Sequence, residues 1–441
     1  MLNNNELQIL KDLCTCIPEN IAIAQTQADI SGVSIPNILE KEGFNELNIF
    51  NVSDFIPELL EGAFQNKGIS SLRAIGHFPS LQFLDCSDNR LSSLEGVESL
   101  QGLKFFMCDQ NELTSLKGVE NLPMLEYLSC MYNQIEDLSP CASVSTLQQL
   151  ACESNRLKTL KGIENLHNLT YLECSSNEIS SLEPIRGLQN LTHLDYAGNN
   201  ISSLAPILSH QRLTYLNCRK NQIKGEFPFQ NFPKLTFLIC DSNFFKGAIQ
   251  LEHLPKLVYF GANCNQFSSI SGTANLENLL TFCCAHNQLK GWLYLNGCHQ
   301  LQHLDCSNNQ LSNILGLSEL NRLENFNCVS NKLSGWLDLQ GLQMLKNLNC
   351  AANELIGLEG LAHLKNLTSL ICASNQLTHL AGIEQLTQLT ELSCGSNRLT
   401  SIRNLFGLSN LRQLNLYNSP NIPASEISAL QQQLSACHIK T

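Results

Sequence analysis

Hydrophobic and polar positions repeat every 22 residues along most of the chain. Around an asparagine the repeated pattern is L-x-x-L-x-C-x-x-N-x-L, which begins as Leu81, Leu84, Cys86, Asn89 and Leu91. The alternating L-x-x-L-x-C segment predicts a short strand. One such coil cannot bury its own apolar side, so the pattern predicts stacked coils that share a core. The asparagine recurs without insertion or deletion in fifteen coils, numbered here 1 to 15: Asn89, Asn111, Asn133, Asn155, Asn177, Asn199, Asn221, Asn243, Asn265, Asn287, Asn309, Asn331, Asn353, Asn375 and Asn397.

The rest of each coil predicts the path by which the chain returns to the next strand. In coil 1 it holds Leu94, Val97 and Leu100, with Gly96 between them; other coils have proline there. Glycine and proline break regular structure, so an irregular or 3₁₀ path is expected. The asparagine lies where the chain leaves the strand. Because its amide both donates and accepts, a column of asparagines is expected to satisfy buried backbone groups of neighbouring coils.

The pattern resembles the leucine-rich repeat. Its 22-residue length is similar to the class shared by phosphatase-regulating repeat proteins and bacterial internalins, here in a bacterial variant with cysteine. The resemblance covers about Leu59 to Tyr417. It implies an α/β solenoid, a curved superhelix with a parallel β-sheet on its concave face and irregular or 3₁₀ segments on its convex face. It also implies a function in protein–protein interaction.

Both ends of a solenoid need caps, because the terminal coils would otherwise expose their core. Leucines at helical spacing predict a helical N-terminal cap in residues 1–57, followed by a degenerate first repeat in residues 58–80. The regular solenoid is expected to span residues 81–418. Ile427, Leu430 and Leu434 also recur at helical spacing and predict a helical C-terminal cap in residues 419–441.

Cysteine occupies one inward strand position in thirteen coils. A small apolar thiol suits a buried site, and a uniform column offers no unique disulfide pairing, so free buried thiols are expected. Free thiols indicate a reducing compartment. The first residues lack the basic start and apolar run of a secretory signal, so a cytoplasmic location is expected. The thirteen are Cys86, Cys108, Cys130, Cys152, Cys174, Cys218, Cys240, Cys284, Cys306, Cys328, Cys350, Cys372 and Cys394.

Composition and motifs argue against several functions. The formal net charge of −12 offers no basic excess for nucleic acid, and no apolar run is long enough for a membrane span. No phosphate-binding, nucleophile or zinc-protease motif occurs, so no enzyme activity, cofactor or metal is expected. The cluster Cys298, His299, His303 and Cys306 suggests zinc, but Cys306 should point inward while His303 faces outward, which argues against it.

The exposed strand position three residues before the cysteine column changes character along the chain. It is aromatic in most of coils 1–9 and in none of coils 10–15, although the repeat itself continues unchanged. Exposed aromatic and methionine side chains are typical of protein interfaces. The competing interpretation is strand propensity alone. The predicted partner-binding residues are Phe83, Phe105, Tyr127, Tyr171, His193, Tyr215, Phe237, Tyr259, Met107 and Tyr132.

The sequence thus predicts a scaffold that binds a macromolecule, most simply a protein, on its concave face, as a monomer and without catalysis. Acids outnumber bases at the exposed positions of coils 1–6, so a partner with a basic surface is expected. A second interpretation is a bacterial effector, delivered into a host cell, that binds a host protein. Two more remain open: a carbohydrate-binding protein, since aromatic rings stack on sugars, and a structural repeat protein without a specific ligand. The acids are Asp85, Asp88, Asp109, Glu112, Glu153, Glu173, Glu178 and Asp195, against Arg90 and Arg156.

Overall fold

The computed structural model describes residues 61–66 and 68–441 of the 441-residue chain. By its internal contacts the chain divides into two compact units, the first ending at His210 and the second spanning Gln211–Thr441. Each unit is a stack of coils. The predicted N-terminal cap, residues 1–57, lies outside the described residues. Of the degenerate repeat, residues 61–66 and 68–80 are described.

The first unit contributes one three-residue strand per coil to a parallel sheet. Neighbouring strands pair in register with a 22-residue offset, so that Phe83 lies beside Phe105 and Tyr127 beside Gln149. Equivalent residues of successive coils therefore form straight columns. The strands are β1 (Glu61–Ala63), β2 (Phe83–Asp85), β3 (Phe105–Met107), β4 (Tyr127–Ser129), β5 (Gln149–Ala151), β6 (Tyr171–Glu173) and β7 (His193–Asp195).

The second unit repeats the arrangement over a longer parallel sheet, again in register. The main strands are β8 (Tyr215–Asn217), β10 (Phe237–Ile239), β12 (Tyr259–Gly261), β14 (Thr281–Cys283), β16 (His303–Asp305), β18 (Asn325–Asn327), β20 (Asn347–Asn349), β22 (Ser369–Ile371), β23 (Glu391–Ser393), β24 (Gln413–Asn415) and β25 (His438–Lys440).

The asparagine column has the predicted structural role. Asn309 is buried, and its Nδ2 donates to the carbonyl of Cys284 in the preceding coil at 3.0 Å. The same nitrogen lies 3.1 Å from the Cys306 carbonyl and 3.0 Å from that of Ser307. Its Oδ1 accepts the backbone N–H of Leu289 at 3.0 Å. One side chain thus ties two coils together at backbone groups that would otherwise be buried unpaired.

A residue in the left-handed conformation precedes each of these asparagines, a feature that the repeat pattern did not predict. The backbone φ is 53° at Asn308, 57° at Ser330 and 52° at Ala352, with Gly198 in coil 6 at 65°. A side chain in this region is disfavoured by about 1–2 kcal/mol. The asparagine contacts and the turn off the strand evidently outweigh this cost in every coil. The position before the asparagine is commonly polar and rarely glycine. The sequence therefore gives little indication of its left-handed conformation.

The return path is built mainly of 3₁₀ segments, as predicted. Several begin after a glycine with positive φ, such as Gly96 at 112°, which lies against the backbone of Leu72. The segments are Arg73–His77, Val97–Ser99, Val119–Asn121, Ser139–Ser143, Glu183–Ile185 and Ala205–Ile207 in the first unit. In the second unit they are Phe229–Asn231, Thr273–Asn275, Leu317–Glu319, Leu361–His363, Ile383–Gln385 and Arg403–Leu405.

The second unit also carries short parallel strands on the flank that follows the asparagine column, where only irregular chain was predicted. They form three small sheets. Register shifts occur at Gly247, Gly291 and Gly335, whose φ values are 82°, 74° and 76°. Glycine permits the bulge there. The strands are β9 (Lys224–Gly225), β11 (Phe244–Gln250), β13 (Gln266–Ser271), β15 (Lys290–Tyr294), β17 (Gln310–Leu315), β19 (Ser334–Asp338) and β21 (Glu354–Glu359).

The C-terminal end is closed by helix α1 (Ala424–Gln433) and strand β25, which confirms the predicted C-terminal helix. Leu430 of this helix is fully buried. Glu426 is also buried, and its carboxylate accepts from the backbone N–H of Ile402 and from Ser401, and pairs with Arg403. These contacts fix the helix on the last coil.

All thirteen column cysteines are buried, as predicted, and every cysteine in the described part of the chain is a free thiol. Several thiols donate to the next coil, for example Cys86 Sγ to the Met107 carbonyl and Cys108 Sγ to the Ser129 carbonyl, both at 3.3 Å. Burial raises the pKa of the Cys350 and Cys394 thiols to about 12. Cysteine therefore fills the slot as a small apolar group with a weak donor.

Candidate functional site

The candidate site is the outward face of the first unit's sheet, built from alternate strand residues. Leu84, Phe106, Leu128, Leu150 and Leu172 point into the core and are fully buried. Their neighbours therefore point outward, because side chains alternate along a strand. We call this outward side the sheet face. Its central column in the first unit contains the ring row, defined as Phe83, Phe105, Tyr127, Tyr171 and His193.

The rings lie close enough to form a nearly continuous surface. The Phe105 and Tyr127 ring centroids are 6.4 Å apart, and Tyr171 stacks on His193 at 4.1 Å with only 13° between the planes. Phe105 is 42% exposed, whereas the other four are half-buried by their neighbours. Burial lowers the pKa of His193 and raises that of Tyr127. The row is interrupted only by Gln149 of coil 4.

Carboxylates flank the ring row, in the two columns on either side of the cysteine. Asp85 accepts the Ser87 N–H at 3.0 Å. Asp109 accepts from Ser129 Oγ at 2.6 Å and from the Met131 N–H at 2.7 Å, and burial raises its pKa. None of the ion pairs found among the described residues includes Asp85, Asp109, Glu153 or Glu173. Asp85 and Asp109 are therefore held by neutral donors.

Glu153 and Glu173 form a carboxylate pair at the centre of this face. They lie on neighbouring coils, where Glu173 pairs with Ala151, two residues before Glu153. Tyr132 Oη donates to Glu153 Oε1 at 3.3 Å, and Tyr171 Oη donates to Glu173 Oε2 at 2.6 Å. Burial, together with the charge and contact of Glu173, raises the pKa of Glu153. Burial and the bond to Glu173 also raise the pKa of Tyr171.

The sheet face of the second unit changes from aromatic to polar along its length. Tyr215, Phe237 and Tyr259 lie in one column, with centroids 6.0 and 6.2 Å apart. Further along, polar side chains of the same column bond to one another. Asn347 Nδ2 donates to Asn325 Oδ1 at 2.6 Å, Asn325 Nδ2 lies 2.9 Å from His303 Nδ1, and Ser369 Oγ donates to Glu391 at 2.7 Å.

The remaining predicted residues fall in different places. Met107 is half-buried beside the ring row, and Tyr132 is 51% exposed at the turn after β4. Phe244 is exposed, but it begins flank strand β11 beside Lys224 and is not on the sheet face. The residue after the asparagine has already left the sheet. Glu112 and Glu178 occupy the same position in their coils, so they also lie outside the strands.

An exposed aromatic cluster on the flank of the second unit was not predicted. Trp292 is 54% and Trp336 53% exposed, and Tyr294 lies 6.2 Å from Trp292 between ring centroids. Trp336 packs against Gly357 and lies edge-on to His379 at 6.0 Å. The available signal was a glycine four residues after the asparagine, which occurs in coils 7, 8, 10, 12 and 13.

No group of three or more potential metal ligands occurs within the described residues. Cys298 and Cys306 are buried, whereas His299 and His303 are exposed. Among these described residues, no helix combines the length and the apolarity that crossing a lipid bilayer requires.

Comparisons with known proteins agree on the fold. The family model for leucine-rich repeats in two copies matches residues 167–210 and 387–432. A leucine-rich-repeat protein of Leptospira interrogans is similar in structure, with 24% identity and a TM-score of 0.67 over 89% of this chain and 98% of that chain. No curated protein matches the sequence.

Two further structures are similar. The functional domain of InlJ from Listeria monocytogenes, which includes a cysteine ladder, is 24% identical with a TM-score of 0.65 over 82% of this chain and 74% of that chain. The plant peptide hormone receptor RGFR1, in complex with RGF2, is 19% identical with a TM-score of 0.56 over 83% of this chain and 75% of that chain. The 22-residue coils, the asparagine column and these likenesses show that the chain has the leucine-rich-repeat fold, with cysteine in its inward column.

Proposed function

We propose that the chain is an interaction scaffold that binds a protein partner on the sheet face of its first unit. The observation that carries this is the ring row, a column of partly exposed rings flanked by carboxylates that have no cation of their own. Aromatic side chains are enriched where binding energy concentrates in protein interfaces. A plant peptide hormone receptor of similar fold was solved in complex with RGF2, which supports a peptide or protein ligand for this chain.

Strand propensity alone explains the ring row poorly. Asn347 and Ser369 of the second unit occupy the same column, yet β20 and β22 pair in the same register as the aromatic strands. The sheet therefore forms without rings at this position. The polar column also differs in being internally hydrogen-bonded, whereas the rings present apolar surface to solvent. Exposed apolar surface of this kind marks interaction sites.

The charges favour a partner with a basic surface. Asp85, Asp109, Glu153 and Glu173 lie beside the rings without an ion pair among the described residues. In coils 1–6, the columns from the ring row to the residue before the asparagine contain no lysine or arginine. Arg90 and Arg156 follow the asparagine, and Lys104 precedes strand β3. A basic partner would be steered to the face and would associate more slowly at higher salt. A bacterial source and a reducing, intracellular setting are parts of the same proposal, supported by the internalin-like fold and the free thiols.

The test is a ligand selection with a footprint. The immobilised full chain would be used to select from a phage-displayed random 12-residue peptide library, and in parallel it would be applied to a glycan array. We expect selected peptides rich in basic residues that slow hydrogen–deuterium exchange in strands β3 to β6. Enrichment of a glycan instead, or of peptides that protect only the second unit, would contradict the proposal. Failure to enrich any ligand would favour a purely structural role.

A further inference from the structure

The flank strands of the second unit expose a group of large aromatic side chains. Trp292, Tyr294 and Trp336, here called the flank cluster, are each about half exposed. Trp292 and Trp336 are the middle residues of the equivalent strands β15 and β19, two coils apart. Coils stack about 4.8 Å apart, so the two indoles are attached to the flank about 10 Å from one another. Grouped exposed rings of this kind mark an interaction surface.

The charges of the flank strands are sorted by sign along the second unit. The flank strands from β9 to β15 contain lysines but no acid, β17 contains no charged residue, and β19 and β21 contain acids but no base. All six charged side chains are exposed, and none of the ion pairs found among the described residues includes them. Glu226, Glu252 and Lys332 lie beside these strands rather than in them. The lysines are Lys224, Lys246 and Lys290, and the acids are Asp338, Glu354 and Glu359.

This surface is complementary to itself. A two-fold axis through β17 would reverse both the order of the coils and the direction of the strands, so that β15 of one copy faces β19 of the other. Each of these strands has five residues with tryptophan in the middle, so Trp292 would face Trp336. Lys290 begins β15 and Asp338 ends β19, so these opposite charges would also meet. Under two-fold symmetry each of these contacts occurs twice.

Other occupants would use only part of the surface. An acidic ligand would be repelled at β19 and β21, and a basic ligand would be repelled at the lysine strands. A neutral glycan could stack on the rings but would leave the sorted charges unpaired. A second copy of the chain satisfies the rings and both signs of charge together, which is the electrostatic complementarity expected of a specific interface.

We propose that the flank strands of the second unit form a two-fold interface between two copies of this chain, with Trp292 against Trp336 and Lys290 against Asp338. The sequence favoured a monomer, and the departure from it rests on the flank cluster, which the repeat pattern did not predict. The inference goes beyond the proposed function and does not depend on it, because the ring row lies in the first unit.

The size of the surface predicts a weak dimer. Five coils at about 4.8 Å and strands of five residues at about 3.3 Å per residue give a patch of about 24 Å by 17 Å. Such a patch is smaller than the surface that permanent dimers bury. Dimerisation should therefore depend on protein concentration, with a Kd between about 1 µM and 1 mM.

The experiment is sedimentation equilibrium of the full chain over that concentration range at about 0.15 M salt, where long-range attraction is screened beyond about 8 Å. Lys290→Asp and Asp338→Lys each place like charges opposite one another, whereas the double variant restores opposite charges with their signs exchanged. Trp292→Ala removes one ring of each pair. Lys256→Asp is the matched control, because Lys256 is exposed but lies outside the flank strands.

We expect each single charge reversal to weaken dimerisation by roughly tenfold or more, because like charges then meet twice in the interface. The double variant should return to within about threefold of wild type, since the opposed charges again differ in sign. Trp292→Ala should weaken dimerisation by about tenfold or more, as for a buried aromatic anchor. Lys256→Asp should change it by less than about twofold, as for an isolated surface charge.

A chain that stays monomeric at about 1 mM would overturn the inference. A double variant no better than the single reversals would overturn it as well, and thermal unfolding of each variant separates loss of association from loss of folding. Peptides or glycans that slow hydrogen–deuterium exchange in β15 and β19 of a monomeric chain would assign the flank to another ligand. Peptide binding at the ring row is measured separately, so either proposal can fail while the other stands.

Discussion

At the scale of single residues, the repeat is governed by a few side chains that the sequence identified and by one backbone feature that it did not. The asparagine column could be predicted because an amide is the side chain that both donates and accepts between backbones. The left-handed residue before it could not, because serine, lysine, tyrosine and alanine all occupy that position. The conformation there is imposed by the turn, against the preference of the residue.

Replacing Asn309 with alanine should destabilise the second unit by on the order of 1–3 kcal/mol, because the Leu289 N–H and several carbonyls lose their partner. Chemical denaturation would measure the change. Asn347→Ala is the matched control: Asn347 is an exposed asparagine whose side-chain bond is on the surface, and its loss should cost half a kcal/mol or less. Equal effects of the two substitutions would mean that the column is not structural.

Glu153→Gln should stabilise the chain at neutral pH. In the folded protein the Glu153 pKa is raised, so the folded state holds its proton at a pH where the unfolded chain has released it. Ionisation of Glu153 therefore costs stability as pH rises above the ordinary glutamate range. The variant should melt higher than wild type at pH 7 and lose this advantage near pH 4. Glu112→Gln, at an exposed position outside the sheet, should show no such crossover. If the melting-temperature advantage of Glu153→Gln grew toward low pH, the Glu153 pKa would not be raised in the folded state.

At the scale of elements, the short strands and 3₁₀ turns followed from the periodicity, but the flank strands of the second unit did not. The period predicts which residues of a coil face inward, and both an irregular path and a bulged strand satisfy that pattern. The bulged strands differ from the irregular paths by a glycine with positive φ, at Gly247, Gly291 and Gly335. In the sequence these glycines resemble ordinary turn residues. The flank tryptophans were missed for the same reason.

Gly357→Ala should disturb flank strands β19 and β21, because an added Cβ would overlap the Trp336 ring. Its φ is not in the left-handed region, so the effect would come from the overlap alone. In a Trp292→Phe background, which leaves Trp336 as the only tryptophan of the two in the chain, the fluorescence maximum should shift and the midpoint of unfolding should fall. Gly407→Ala, where an added Cβ meets nothing within 4 Å, should change neither. An unshifted spectrum in Gly357→Ala would show that Trp336 does not rest on this glycine.

At the scale of the whole molecule, thirteen buried thiols should behave as part of the core. Burial raises the thiol pKa and so removes the reactive thiolate, for example at Cys350. In native protein the column cysteines should resist iodoacetamide, whereas exposed Cys264 should react, as followed by intact mass. After denaturation without reductant all should react. Rapid native alkylation of the column, or disulfides in protein kept from air, would contradict a packed core of free thiols.

The location of the partner site is the central claim, and sequence and structure contribute to it differently. The change from rings to polar residues was visible in the sequence. The hydrogen bonds within the polar column and around Glu153 and Glu173 could be found only in the structure. They depend on contacts between neighbouring coils, which the sequence does not display.

The most direct measurement compares the affinity of one selected peptide for Tyr127→Ala and Asn347→Ala, which change the same column in different units. An aromatic anchor typically contributes about 2 kcal/mol or more to binding, so Tyr127→Ala should weaken binding by roughly thirtyfold. Asn347→Ala should leave the affinity within about twofold, and neither change should lower the melting temperature by more than a few degrees. Loss of binding in Asn347→Ala with retention in Tyr127→Ala would show that the ring row is not the binding surface.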